Sequence, residues 1–211
     1  MNTDIARAEE ETAEGKNPTP EELAVLLAEF ENGLSVPADK RTPRILVCPV
    51  GLVGAGKSTV IKPLSEKLSL LRISSDEFRH LLKDRGFGYR VVNQAMLSLL
   101  KKYLALGYSI ALDADCAGSA KEFIDRVPQT YPDLKVVWLH IDPPEGFILD
   151  KLRSYKHTWL FADADEAVAN YFRRKPLHAH LDMPFLYTFD TSRSDLDRQI
   201  DEAVGLIGEL R

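Results

Sequence analysis

The chain has 211 residues, enough to bury one good core, and its length points to one α/β domain with an appendage rather than to two domains. Its formal net charge of −5 is an uneven average, because residues 1–39 hold ten acidic and two basic residues and leave 25 basic against 22 acidic in 40–211, a balance that excludes a broad nucleic-acid-binding face. Two cysteines, unrelated in sequence, exclude a disulfide framework; with no apolar run near the roughly 18 residues of a membrane span and no signal-peptide pattern at Met1–Asp4, a cytoplasmic protein is expected.

Residues 1–18 are polar and Glu-rich and read as a disordered acidic tail. Thr19-Pro20-Glu21-Glu22 opens a helix, with Thr19 as N-cap, Pro20 at the first helical position and Glu22 closing a capping box. Its apolar stripe, Leu23, Val25, Leu26, Leu27 and Phe30, needs a partner surface, either its own domain or another protein. The stretch from Asn32 to Arg44, with Gly33, Pro37 and Pro43, is the connector, so that residues 19–43 precede a main domain over 44–211.

Arg44-Ile45-Leu46-Val47-Cys48-Pro49-Val50 reads as a buried parallel strand. It runs into Gly51-Leu52-Val53-Gly54-Ala55-Gly56-Lys57-Ser58-Thr59, which carries the P-loop pattern G-x-x-x-x-G-K-S, and then into an amphipathic helix to Leu68. Chemistry asks for these residue types at this spacing. Glycines at 51, 54 and 56 allow positive φ and close approach of the backbone, so that successive N–H groups point at phosphate oxygens, and the helix N-terminus adds its unpaired donors. Lys57 can reach the β- and γ-phosphates of ATP, and the Ser58 hydroxyl can ligate Mg²⁺.

Ser69 to Ser74 reads as a second strand. Ser74 and Glu77 make a capping box for a helix to about Lys83, and Asp76 falls at the strand end that faces the ligand crevice of an open α/β sheet. There its carboxylate either takes a proton from an attacking hydroxyl or simply favours the helix start. The P-loop followed by Ser-Ser-Asp-Glu-Phe-Arg resembles the P-loop kinases that include the phage polynucleotide kinase domain and the zeta toxins, often grouped as AAA-family ATP-binding phosphotransferases. The resemblance implies that Asp76 of the D-x-x-R pattern is the general base and that Arg79 contacts the acceptor or the transferring phosphate. It spans roughly residues 44–192 in element order.

Gly86 to Tyr89 breaks the chain before a helix from about Arg90 to Leu106, whose Val91, Val92, Ala95, Met96, Leu99, Leu100, Tyr103 and Leu104 form a core face. Tyr108 to Asp113 is the third strand, and its closing acid fits a carboxylate that holds Mg²⁺. Where the resembling kinases read D-T-N, this chain has Asp113-Ala114-Asp115; the second acid adds a metal or substrate contact or caps the turn. A capping box at Ser119 opens a helix that Pro128 limits, and Lys135 to Ile141 is the fourth strand, with His140 as a core or strand-end histidine.

A helix from Glu145 to about Arg153 and another opened by Asp163 frame residues 154–181. In the resembling kinases this position is a lid whose cations close on the phosphates, which implies Arg153 and Lys156, or Arg173 and Arg174, for that part. Pro184 to Asp190 is the fifth strand, Asp190-Thr191-Ser192 resembles the D-T-S turn near the adenine, and a helix from Asp195 to Leu210 closes the chain. The expected fold is a three-layer P-loop NTPase with five parallel strands ordered 2-3-1-4-5. The expected activity is transfer of the γ-phosphate of Mg²⁺-ATP to a hydroxyl, on a small molecule in preference to a nucleic-acid 5′ end, because no basic stripe interleaved with aromatics marks a strand path. The alternative is a nucleotide-binding regulator whose N-terminal helix engages a protein partner.

Overall fold

Branched apolar side chains along a strand require cover on both faces, and β1 (Arg44–Val50) is buried at every residue but its first. The computed structural model of the chain describes residues 15–154, 156, 160–179 and 181–210. In it β1 is the middle of a five-stranded sheet with β2 (Leu71–Ser74), β3 (Ile110–Asp113), β4 (Leu134–Ile141) and β5 (Phe185–Phe189). All pairings are parallel and the order is 2-3-1-4-5, as the sequence led us to expect.

Helices lie on both faces: α1 (Pro20–Asn32), α2 (Lys57–Lys67), α3 (Ser75–Asp84), α4 (Val92–Ala105), α5 (Ser119–Ile124), α6 (Val127–Thr130), α7 (Glu145–Arg153), α8 (Ala164–His178) and α9 (Leu196–Gly208). The period of two in β1 divides the core. Leu46, Cys48 and Val50 pack with Phe78 of α3 and with Leu99 and Leu100 of α4, while Ile45 and Val47 pack with Ile61 of α2, Tyr171 of α8 and Ile200 of α9. Residues 1–14, which hold most of the expected tail, lie outside the described residues; Lys16 runs beside Phe87, and its carbonyl accepts from the Gly88 N–H at 3.1 Å.

The capping box of α1 is made in both directions: Glu22 N–H donates to Thr19 Oγ1 at 3.2 Å, and Thr19 N–H donates to Glu22 Oε2 at 2.7 Å. The apolar stripe finds its own domain. Leu26 and Phe30 are buried, the Phe30 ring meets Phe78 edge-to-face at 5.3 Å, and Glu29 and Glu31 pair with Arg85 and Lys102 at 2.6 Å. Val25 stays 67% exposed, off the buried side of the helix.

Three local expectations need correction. Pro128 does not limit the helix opened at Ser119; it sits in the first turn of α6, where a missing N–H leaves no bond unmade, and Gly118 at φ +64° precedes α5 with no side-chain cap. At α3 only half of the capping box forms: Ser74 Oγ accepts from Glu77 N–H at 3.3 Å, but the Glu77 carboxylate turns to Arg72 at 2.6 Å instead. Cys48 and Cys116 are neighbours in the structure, free and buried. Burial foremost, and then the adjoining Cys48, push the Cys116 thiol well above its ordinary range. His140 is a strand histidine as expected, half-buried and stacked on Phe185 with centroids 4.6 Å apart. Among the described residues no helix is long and apolar enough to cross a membrane.

Candidate active site

The turn between β1 and α2 needs glycine for two different reasons. Gly54 and Gly56 adopt φ of +82° and +92°, which side chains disfavour. Gly51 does not share that conformation; a Cβ there would lie 2.6 Å from the Ile141 carbonyl oxygen, so it is the close approach of β4 that demands glycine. The N-terminus of α2 has no side-chain cap and no acid in its first turn, which leaves backbone donors for an anion. Lys57 Nζ folds back on the loop, donating to the carbonyls of Gly51 at 2.9 Å and Leu52 at 3.1 Å. Thr191, in the turn after β5, donates from Oγ1 to the Ala55 carbonyl at 2.7 Å and packs against Gly56.

Two strand ends flank this loop with carboxylates. Ser58 Oγ donates to Asp113 Oδ1 at 2.9 Å, and Arg72 Nε donates to Asp113 Oδ2 at 2.9 Å. Asp113 is 3% exposed. Burial raises its pKa, and the hydrogen bonds from Ser58 and the charge of Arg72 offset part of that rise. At the end of β2, Asp76 Oδ1 accepts from Arg79 at 2.7 Å, and the same guanidinium reaches Ser75 Oγ at 2.9 Å.

Asp115 is the most connected acid of the site. Its Oδ1 faces the N–H groups of Gly51 and Ala117 at 3.4 Å, while Oδ2 meets His178 Nε2 at 3.1 Å and Arg174 at 3.5 Å. Burial works to raise its pKa, but the His178 contact and the charges of Lys57, His178 and Arg174 prevail and hold it at about 2. Asp115 thereby ties the C-terminal end of α8 to the P-loop.

A cavity of about 550 Å³ joins these groups. Lys57, Ser58 and Asp113 line one end, Asp76 and Arg79 come next, and α4, α5 and the Leu160–Phe161 segment line the rest. A smaller cavity of about 230 Å³ lies across Gly51 and Leu52, beside His140, Tyr171 and His178. Of the four cations expected over 154–181 and its flank, Arg174 lines the larger cavity. Arg153 is exposed and pairs with Asp150 at 3.3 Å, and Arg173 and Lys156 are exposed. Leu52, Val53, Ala55 and Thr59 complete the loop, with Val53 at the larger cavity and Leu52 at the smaller.

Three charged residues escaped the sequence reading. Arg72 was one basic position in a strand read for its apolar residues, and His178 sat in a helix end read for its arginines; neither had a motif to flag it. Lys151 lies two residues before Arg153 in the same helix. Burial and the nearby charge of Lys57 lower its pKa, although its side chain keeps solvent contact, and an anion between the two lysines would relieve that repulsion.

The geometry can cradle a polyphosphate on the loop, offer two hard oxygen donors at Ser58 and Asp113, and set a carboxylate–guanidinium pair beside the same space. No protein-family model matches the sequence, and no curated protein matches it. Solved structures do. A structure from the PezAT chromosomal toxin–antitoxin system of Streptococcus pneumoniae superposes with a TM-score of 0.58 at 16% identity, over 92% of this chain and 98% of that one. A provisionally named kinase from Chloroflexus aurantiacus gives 0.59 at 16% identity, over 81% and 100%. A gluconokinase from Sinorhizobium meliloti gives 0.50 at 16% identity, over 81% and 96%. At such identities the likeness concerns the fold, which is the three-layer α/β fold of P-loop kinases.

Proposed function

We propose that the protein is a Mg²⁺-ATP-dependent phosphotransferase acting on a hydroxyl, in the cytoplasm. The observation that carries this reading is one cavity in which Lys57, Ser58 and Asp113 at one end meet Asp76 and Arg79 beside them. A protein that only bound nucleotide would have no use for a carboxylate on the acceptor side of the phosphate. The D-x-x-R spacing of Asp76 and Arg79 supports a grouping with the polynucleotide kinases and zeta toxins.

The P-loop N–H groups from Gly51 to Thr59 bind the β- and γ-phosphates, and Lys57 leaves its loop carbonyls to neutralise charge on the transferring group. Ser58 Oγ and Asp113 Oδ1, 2.9 Å apart, are hard oxygen donors of the kind Mg²⁺ takes. No group of three or more metal-ligating side chains occurs among the described residues, in keeping with a cation that draws its other ligands from water and phosphate. When bound there, the ion would offset negative charge on the β- and γ-phosphate oxygens. Asp76 accepts the proton of the acceptor hydroxyl, Arg79 holds Asp76 in place, and Arg174 brings a cation from α8. The arginines at 153 and 173 and Lys156 are the weaker lid candidates, since none lines the cavity.

The regulator alternative has the N-terminal helix engage a protein partner; burial of Leu26 and Phe30 against the domain and the Asp76–Arg79 pair beside the P-loop favour the kinase reading over it. Lys57→Ala tests the proposal at the phosphate end. Nucleotide turnover should fall roughly 10²–10³-fold, measured as release or transfer of labelled γ-phosphate; turnover equal to wild type overturns the assignment.

A further inference from the structure

Beside its polar groups, the larger cavity is lined by a set of apolar side chains. Met96, Leu97 and Leu100 contribute from α4, Phe123 from α5, and Leu160 and Phe161 from the segment before α8. Leu100 and Phe161 are buried, so this wall is anchored in the core and is not loose surface. Asn93 and Asn170 are the amides of the lining, and its cations are Lys57 on the P-loop, Arg79 paired with Asp76, Arg174 paired with Asp115, and the exposed Arg90. The cavity volume of about 550 Å³ falls in the range that encloses a drug-sized molecule.

Such a wall discriminates by what it leaves unpaired. A polyol carries a hydroxyl on nearly every carbon, and each one turned against Leu97, Leu100 or Phe161 would lose water without gaining a partner, a loss of roughly tenfold in affinity apiece. A polynucleotide strand would need a cationic groove along which successive bases stack on aromatics, whereas here the aromatic rings of Phe123 and Phe161 stand among aliphatic neighbours in the lining. An apolar ring gains from the same surface.

We propose that the phosphoryl acceptor is an alcohol with an apolar ring body, aromatic or alicyclic, whose hydroxyl reaches Asp76 while its body lies between α4, α5 and the Leu160–Phe161 segment. This rests on the kinase reading of the site. The acceptor oxygen forms a bond to the γ-phosphorus of ATP, the bond from that phosphorus to the β,γ-bridging oxygen breaks, and ADP leaves. The hydroxyl proton passes to the Asp76 carboxylate, and the products are ADP and a phosphate monoester.

The test uses the full chain with Mg²⁺ and γ-labelled ATP. The acceptors are 3-phenylpropan-1-ol, 2-naphthylethanol and a cyclic monoterpene alcohol, set against glucose, an aminosugar, adenosine and a 5′-hydroxyl oligonucleotide, and the Kd of a fluorescent ATP analogue is measured on the same preparation. The expected result is a kcat/KM at least tenfold higher for the ring alcohols. Leu97→Asn should raise KM for them about tenfold, and Leu97→Met should restore it; the nucleotide Kd of each variant reports whether it has folded. Preference for the sugar, nucleoside or oligonucleotide, label on no acceptor although nucleotide binds, or an unchanged KM in a folded Leu97→Asn protein overturns the apolar-body proposal and leaves the kinase reading standing. Failure to bind nucleotide at all overturns the kinase reading itself.

Discussion

Arg72 and Asp115 show what single side chains do for this site. Arg72 is 19% exposed and Asp113 2% exposed at their side chains, so the pair is close to a buried one, and removing the cation alone strands a carboxylate in the core. Arg72→Met should therefore destabilise the protein by about 3 kcal/mol in denaturant unfolding; a change within about 0.5 kcal/mol would mean that Asp113 does not depend on that partner. Asp115 acts through pH. Its folded pKa of about 2 lies below the roughly 3.9 of an unfolded aspartate, so its contribution is fully present above about pH 4 and is lost as pH falls toward 2. The shift corresponds to on the order of 2 kcal/mol. Stability measured from pH 6 to pH 2 with EDTA present should fall less steeply in Asp115→Asn than in wild type, and parallel curves would rule out the His178 and Arg174 contacts as its cause. Arg72 was not legible as a functional residue in the sequence, because it acquires its role from Asp113 on another strand; Asp115 was flagged there as a metal or substrate contact or a turn cap, but its ties to His178 and Arg174 of α8 were not legible.

Elements whose neighbours are close in sequence were the readable ones. β1, the P-loop and α2 follow one another without a break, and the pattern of glycines, lysine and apolar residues carries its own context. α1 was legible as far as its cap and stripe, and its partner had two possibilities until Phe30 was found against Phe78. Docking of this helix gives a direct prediction: Phe30→Ala should cost about 3 kcal/mol of stability and Thr19→Ala about 1 kcal/mol, by chemical denaturation. If Phe30→Ala changed nothing, the contact with α3 would not hold α1 in solution. α5 and α6 were misread because a proline near the end of a predicted helix has two readings, a stop or a first turn, and the surrounding packing decides between them. The cations of residues 154–181 were ambiguous for a similar reason, since helical phase alone did not say which face of α8 meets Asp115.

At the scale of the whole molecule, the parallel sheet brings the C-terminal ends of β1, β2 and β3 to one side, so that the P-loop, Asp76 and Asp113 converge although they are spread over more than sixty positions. The order of strands could be expected from the motif sequence, whereas the apolar wall of the larger cavity comes from α4, α5 and a segment before α8, and no local pattern assembles it. A ligand held by so many elements should stabilise all of them together. At a concentration about 100 times its Kd, Mg²⁺-ATP should add about 2.7 kcal/mol, a rise in Tm of roughly 5–10 °C for a chain of this size, and EDTA should reverse much of it. No shift at saturating nucleotide would speak against the P-loop as a nucleotide site.

A kinase requires that the P-loop and Asp76 sides of the cavity serve one reacting oxygen. The measurement that separates them is γ-phosphate transfer by Asp76→Asn alongside the nucleotide Kd of the same preparation. Retention of Kd within about twofold of wild type, with transfer reduced roughly 10²–10⁴-fold, is the predicted result for the loss of a general base. Transfer at the wild-type rate, or nucleotide binding lost together with transfer, would contradict it and leave Asp76 as a residue that merely supports the start of α3.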